Sequence, residues 1–147
     1  MLNITQDHLD WHGDINAYAA AKARLFGQTG LMVLNREDPE VMQMLPPPVR
    51  VKLQKPQQRE HVTFGADMPR RPGDFGIEIV NGMPWLVRAL EADETRKRSR
   101  SEVEEELHIQ RLMPADALRI RGRHNATNAL AALALASAAG CPLAPML

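Results

Sequence analysis

Neither sign of charge is in excess in this 147-residue chain, where 18 Lys and Arg stand against 18 Asp and Glu. No overall field draws it to nucleic acid or to an anionic membrane surface, so neither is expected as a partner. Cysteine is almost lacking. The single one, Cys141, has no internal partner for a disulfide, which fits a reducing cytoplasm. No long hydrophobic run occurs: the Ala/Leu stretch from Ala126 to Ala139 is too short and too weakly apolar to span a bilayer. The first residues pass into polar Asn3-Ile4-Thr5-Gln6-Asp7, without the pattern of a secretory signal. These absences predict a cytoplasmic domain of ordinary composition, long enough to bury a core without staples. Its ends predict a piece of something longer. MLNIT reads as the tail of a buried strand, and CPLAPML stops soon after a helix.

What is present concentrates between Asp7 and Phe26. Asp7, His8, Asp10 and His12 put two carboxylates and two imidazoles within six residues. Those groups are the usual ligands of a hard or borderline divalent cation. Asp14 then predicts the N-cap of a helix through about Phe26, rich in alanine, with Gly27 and Gly30 as stop signals. Lys22 lies in its middle, four residues after Tyr18 and on the same face. A polar loop followed by a solvated helix lysine is the plain alternative.

Further along, Leu31 to Asn35 is a continuously apolar run, as in a strand buried on both faces. Asp38-Pro39 predicts a second helix, with Val41, Met42 and Leu45 at helical spacing and Pro46-Pro47-Pro48 ending it. This rhythm predicts α/β architecture: a mostly parallel sheet flanked by helices. Val49 to Leu53 and His61 to Phe64 are further strand candidates, with Gly65 a turn. Phe75 to Val80, Asn81-Gly82 and Trp85 to Ala89 predict a hairpin, hence a small antiparallel subsheet. Residues 91 to 106 form a dense run of both charges, read as a charged insertion. Leu107 to Leu112 and Leu118 to Ile120 read as two more strands. Finally, Gly122-Arg123-His124-Asn125-Ala126-Thr127-Asn128 opens an Ala/Leu helix ending at Gly140, with Asn125 as its expected N-cap. A helix mouth with a glycine, a cation and two amides favours an anion or a polar ring.

NITQDHLDWHGDINAYAAAKARLF followed about a hundred residues later by GRHNATNALAALALASAAG resembles the central, ATP-binding domain of the Mur ligases. The likeness runs in order along nearly the whole chain. It implies an ATP-dependent amide ligase of cytoplasmic peptidoglycan precursor synthesis, working through an acyl phosphate. Local wording around Val33-Leu34-Asn35 and after Gly122 implies UDP-N-acetylmuramoyl-L-alanine and D-glutamate as substrates. By position, the resemblance makes His8 a magnesium ligand and Asp7 its neighbour in the substrate loop. It makes Lys22 a carbamate that also serves Mg2+ in the whole ligase, and a plain lysine is expected where the stabilising magnesium and phosphate groups are absent. Asn125 and Asn128 fall beside the nucleotide, Asn128 against adenine, and His124 matches a family position that shapes the turn. Asp10 and His12 are left as loop structure.

The departures are large. The family's phosphate loop, G-x-x-G-K-[ST], does not occur in these residues. The expected content is thus a truncated central domain over 1–147, without the phosphate loop or the flanking N- and C-terminal domains. Alone it is expected to be inactive and to bind neither ATP nor Mg2+ productively. Uncovered apolar faces are expected to favour an artificial dimer. Three competing readings are another Mur ligase adding L-alanine or the third residue, a non-catalytic module keeping the fold, and a metal-dependent hydrolase built on Asp7, His8, Asp10 and His12.

Overall fold

The computed structural model describes residues 1–4, 14–50, 52–53, 57–91, 107–119 and 122–147. They fall into two compact units, Met1–Val62 and Thr63–Leu147. The Asp7–His12 cluster and the run 92–106 lie outside the described residues.

In the first unit, α1 (Ile15–Ala23) starts where Asp14 accepts from the Ala17 N–H at 2.7 Å, as its cap position predicts. A 3-10 turn, Arg24–Phe26, carries it to Gly27, whose φ of 60° ends it. Strand β1 (Met32–Asn35) is buried over its first three residues. The one-turn helix α2 (Pro39–Met42) has Asp38 as cap and proline at its start. The same Asp38 carboxylate accepts from the Ile4 N–H at 2.7 Å. Met1 to Ile4 thereby runs beside β1, with the Asn35 N–H donating to the Met1 carbonyl at 3.1 Å. It makes these bonds without being a regular strand, which qualifies the reading of Asn3-Ile4 as a strand end. Ile4, Tyr18, Met32, Leu34 and Val41 form the core of this unit. Leu25, in the 3-10 turn that follows α1, is 79% exposed.

Among the described residues of Val49 to Leu53 the expected strand does not form. Val49 makes only an isolated antiparallel bridge to Gln57, and Leu53 sits at a φ of 71° that a strand does not permit. Short apolar runs acquire strand structure only when a neighbour supplies a ladder, and Val49 is exposed.

Strand β2 (His61–Phe64) crosses the boundary between the units. In the second unit Phe64 pairs with Phe75 of β3 (Phe75–Val80), in parallel. A tight turn at Asn81 and Gly82, with φ of 50° and 79°, reverses the chain into β4 (Met83–Glu91). Strand β4 then pairs antiparallel with β5 (Leu107–Pro114). The antiparallel part therefore comprises the three longest strands among the described residues. Opposite Leu86 and Val87 stand Met113 and Arg111, so Leu112 is an extra residue that bulges β5. Strand β5 runs two residues further than expected. The second strand expected there, Leu118 to Ile120, is replaced in the described residues by a 3-10 turn over Ala115–Ala117 and a bend. Pro114 has no N–H for a ladder, and the turn begins after it.

Helix α3 (Arg123–Ala138) packs on β3 and buries Ala126, Leu130, Ala131, Leu133 and Ala134. It ends in a Schellman pair, with Gly140 N–H donating to Ser137 O and Cys141 N–H to Ala136 O. Asp74, 4% exposed, supports the start of β3 by accepting from the Thr63 N–H at 2.8 Å.

Candidate functional site

Each unit carries one part of the residues singled out above. In the first, the Lys22 Nζ stands 4.8 Å from the centre of the Tyr18 ring. A cation at that distance from an aromatic face is attracted by the ring quadrupole. The i, i+4 spacing on α1 brings them together, and Tyr18, 3% exposed, is held by the unit's core. Lys22 is thus anchored by its partner, unlike a freely solvated surface lysine.

The segment following α1 is fixed by a residue that the sequence did not single out. Arg59 donates from Nη2 to the carbonyls of Phe26 and Thr29, from Nη1 to Gly27, and from Nε to Gly30, at 2.7 to 3.2 Å. Its planar fork matches four carbonyls left without strand or helix partners. An arginine thirty residues away in sequence carries no local signal of this role.

In the second unit, α3 begins at Arg123 with Gly122 as its cap residue, at a φ of 107°. Asn125 is therefore inside the first turn and is not the N-cap. The chain reaches helical geometry three residues early because Gly122 alone tolerates the positive φ that directs it inward. Among the described residues no side chain caps the helix, and the Ala126 N–H donates to Gly122 O at 3.0 Å. Asn125 and Asn128 are half-buried, whereas His124 is exposed. At 3.6 residues per turn the two asparagines share one side of α3, and Arg123, Ala126 and Leu130 the other.

That other side borders a cleft of about 700 Å³. Ile77, Ile79 and Pro84 line it from the sheet, Gly122, Arg123 and Ala126 from α3, and Ala66, Ala115 and Asp116 from the connections. Its walls are mostly apolar, with one cation and one carboxylate. The alternation of β3 across its hairpin partner was the available signal for Ile77 and Ile79, which share a face.

Asp7, His8, Asp10 and His12 lie outside the described residues, so their geometry is not part of this picture. Among the described residues no three His, Cys, Asp or Glu side chains converge as a metal site.

The chain matches the Mur ligase middle domain over residues 1–136. It belongs to the Mur ligase family. This Mur ligase middle domain is 78% identical, along its full length, to the UDP-N-acetylmuramoylalanine--D-glutamate ligase of Albidiferax ferrireducens, covering 29% of that protein. It is 73% identical to the enzyme of that name from a Polaromonas species, covering 25% of it, and 51% identical to that from Paraburkholderia phymatum, covering 29%. The chain spans less than a third of the length of these curated relatives.

The start of α3 offers the positive end of a helix dipole and two amides that both donate and accept, which fits a nucleotide. The described residues do not supply a magnesium donor set, because an unmodified Lys22 is a cation. Among the described residues no helix is long and apolar enough to cross a membrane.

Proposed function

We propose that this chain is the middle portion of an ATP-dependent ligase that joins D-glutamate to UDP-N-acetylmuramoyl-L-alanine during cytoplasmic peptidoglycan precursor synthesis. The observation that carries this reading is the end-to-end identity of 78% to a relative of that name. In this reading ATP supplies the phosphoryl group that turns the substrate carboxylate into an acyl phosphate. The D-glutamate amine then attacks the acyl carbon, and phosphate leaves as the amide forms.

The chain's own residues would bind and orient. Asn125 and Asn128, side by side on α3, would hold the base, with Asn128 against adenine. His124, at the exposed start of the helix, shapes the turn. His8 and a carbamylated Lys22 would hold Mg2+, with Asp7 in the neighbouring substrate loop. The identity to whole ligases over less than a third of their length supports a division of labour, with the phosphate loop and flanking domains supplied by further sequence. On that account the 147 residues alone neither hydrolyse ATP nor form the amide.

The test is a ligase assay on the longer protein that contains this segment, following ADP and the new amide. Turnover should require both D-glutamate and UDP-N-acetylmuramoyl-L-alanine. Turnover with L-alanine and the unsubstituted muramate, or with the next amino acid on a dipeptide acceptor, would overturn the assignment. Asn128→Ala should raise the KM for ATP by about tenfold, the worth of one or two lost hydrogen bonds. An unchanged KM would remove Asn128 from the nucleotide site. Release of ADP by the 147-residue chain itself would refute its predicted inactivity.

A further inference from the structure

The geometry around Lys22 carries an inference about how its chemical state is read. Tyr18 is 3% exposed and packed among Ile4, Met32, Leu34 and Val41, so its ring cannot move without opening the core. Lys22, half-buried, rests with its Nζ 4.8 Å from that ring's centre. Its neighbours on α1 are alanines, which offer no side-chain acceptor. Among the described residues no carboxylate pairs with it. The ring face is thus the one fixed feature on the described chain that holds this cation.

We propose that the Tyr18 ring is a resting place for the unmodified Lys22 ammonium, and that conversion of Lys22 to its carbamate ejects the side chain from it. This rests on the reading above in which Lys22 is carbamylated. Carbon dioxide is the co-reactant. The ammonium first gives one proton to water. The amine lone pair then forms an N–C bond to the carbon of CO2, as one C–O π bond opens onto oxygen. The second proton leaves Nζ for water, so a group of charge +1 becomes one of charge −1. The face of an aromatic ring carries negative potential, which attracts the first form and repels the second. Because the ring is locked and the lysine arm has four rotatable bonds, the arm is what moves. Tyr18 is then a positioning residue: it parks the unmodified arm against the helix and releases the modified one.

The test uses NMR of the 147-residue chain with lysines labelled at the ε-carbon. Without bicarbonate, the Lys22 ε-protons should be shifted upfield by the ring. Tyr18→Phe should keep that shift and Tyr18→Leu should abolish it. With 13C-bicarbonate, a carbamate signal should appear that is missing in Lys22→Arg, a control that excludes the Met1 α-amine and the other lysines. The carbamylated Lys22 should show ε-protons free of the ring shift. In Tyr18→Leu its fraction at fixed pH and bicarbonate should rise about two- to fivefold, as expected for loss of a partly exposed cation–π contact. The unsubstituted chain alone decides the matter should Tyr18→Leu fail to fold. No upfield shift in that chain overturns the resting place, and a shift that persists in the carbamate overturns the ejection. If the shift is present but no Lys22 carbamate forms, here or in the longer ligase, the carbamylation reading fails and ejection fails with it. The resting place then stands on the ring shift alone.

Discussion

Arg59 shows how much one side chain can organise. Its guanidinium donates to the carbonyls of Phe26, Gly27, Thr29 and Gly30, which would otherwise face solvent in an irregular segment after α1. Arg59→Lys should lower stability by about 1–2 kcal/mol, since an ammonium cannot reproduce the fork. Urea unfolding should show a reduced midpoint at unchanged slope, and an unchanged midpoint would make the fork dispensable. The Met1 α-amino group gives a second test. It donates to the Val33 carbonyl at 2.6 Å, and burial followed by repulsion from Lys22 lowers its pKa from the ordinary 8.0. Between the lowered value and 8.0 the unfolded chain holds more protons than the folded one, so this group makes stability rise with pH across that window. Below the window both states are protonated and the penalty is complete. Acetylating the N-terminus should remove this rise, as thermal melts across neutral pH would show; its persistence would assign it to another group.

At the scale of elements, caps and stops were the most legible features. Asp14 and Asp38 are cap residues by type and position, and they accept the expected first-turn N–H groups. Asp38 does more, because its other oxygen holds the Ile4 N–H at 2.7 Å. Asp38→Ala should therefore cost about 2 kcal/mol, above a typical cap, with amide exchange accelerated at Ile4 as well as at Glu40 and Val41. Acceleration at Glu40 and Val41 alone would deny the tie to Ile4. Gly140, a stop signal by residue type, lies at a φ of 87°, with open space where a Cβ would stand. Gly140→Ala should cost about 1 kcal/mol from backbone conformation alone. A neutral effect in thermal melts would contradict that. The start of α3 was less legible. Asparagine is a better cap than glycine by side-chain chemistry, which favoured Asn125. The backbone instead turned at Gly122, where positive φ decides the entry angle.

For the whole molecule, membership of the Mur ligase family follows from a match over residues 1–136. Much of the architecture was visible beforehand, including α1, β1, the Asn81-Gly82 hairpin and α3. These elements declare themselves locally, through caps, glycines and apolar runs. The strands expected at Val49–Leu53 and Leu118–Ile120 do not form among the described residues, for the opposite reason. A strand is completed by a neighbour, and nothing in a short alternating run such as Val49-Arg50-Val51-Lys52-Leu53 says whether that neighbour will be present.

The sequence by itself determined the family, the caps at Asp14 and Asp38, the stops at Gly27 and Gly140, the hairpin turn, and the placing of Tyr18 and Lys22 one helical turn apart. These depend on interactions within a few residues, where chemistry and spacing coincide. Only the tertiary structure decided that Arg59 clasps four carbonyls, that Asp38 serves two segments, and that a cleft lies on the side of α3 away from Asn125 and Asn128. Those arrangements join residues about thirty or more positions apart, whose proximity is set by which faces are buried together.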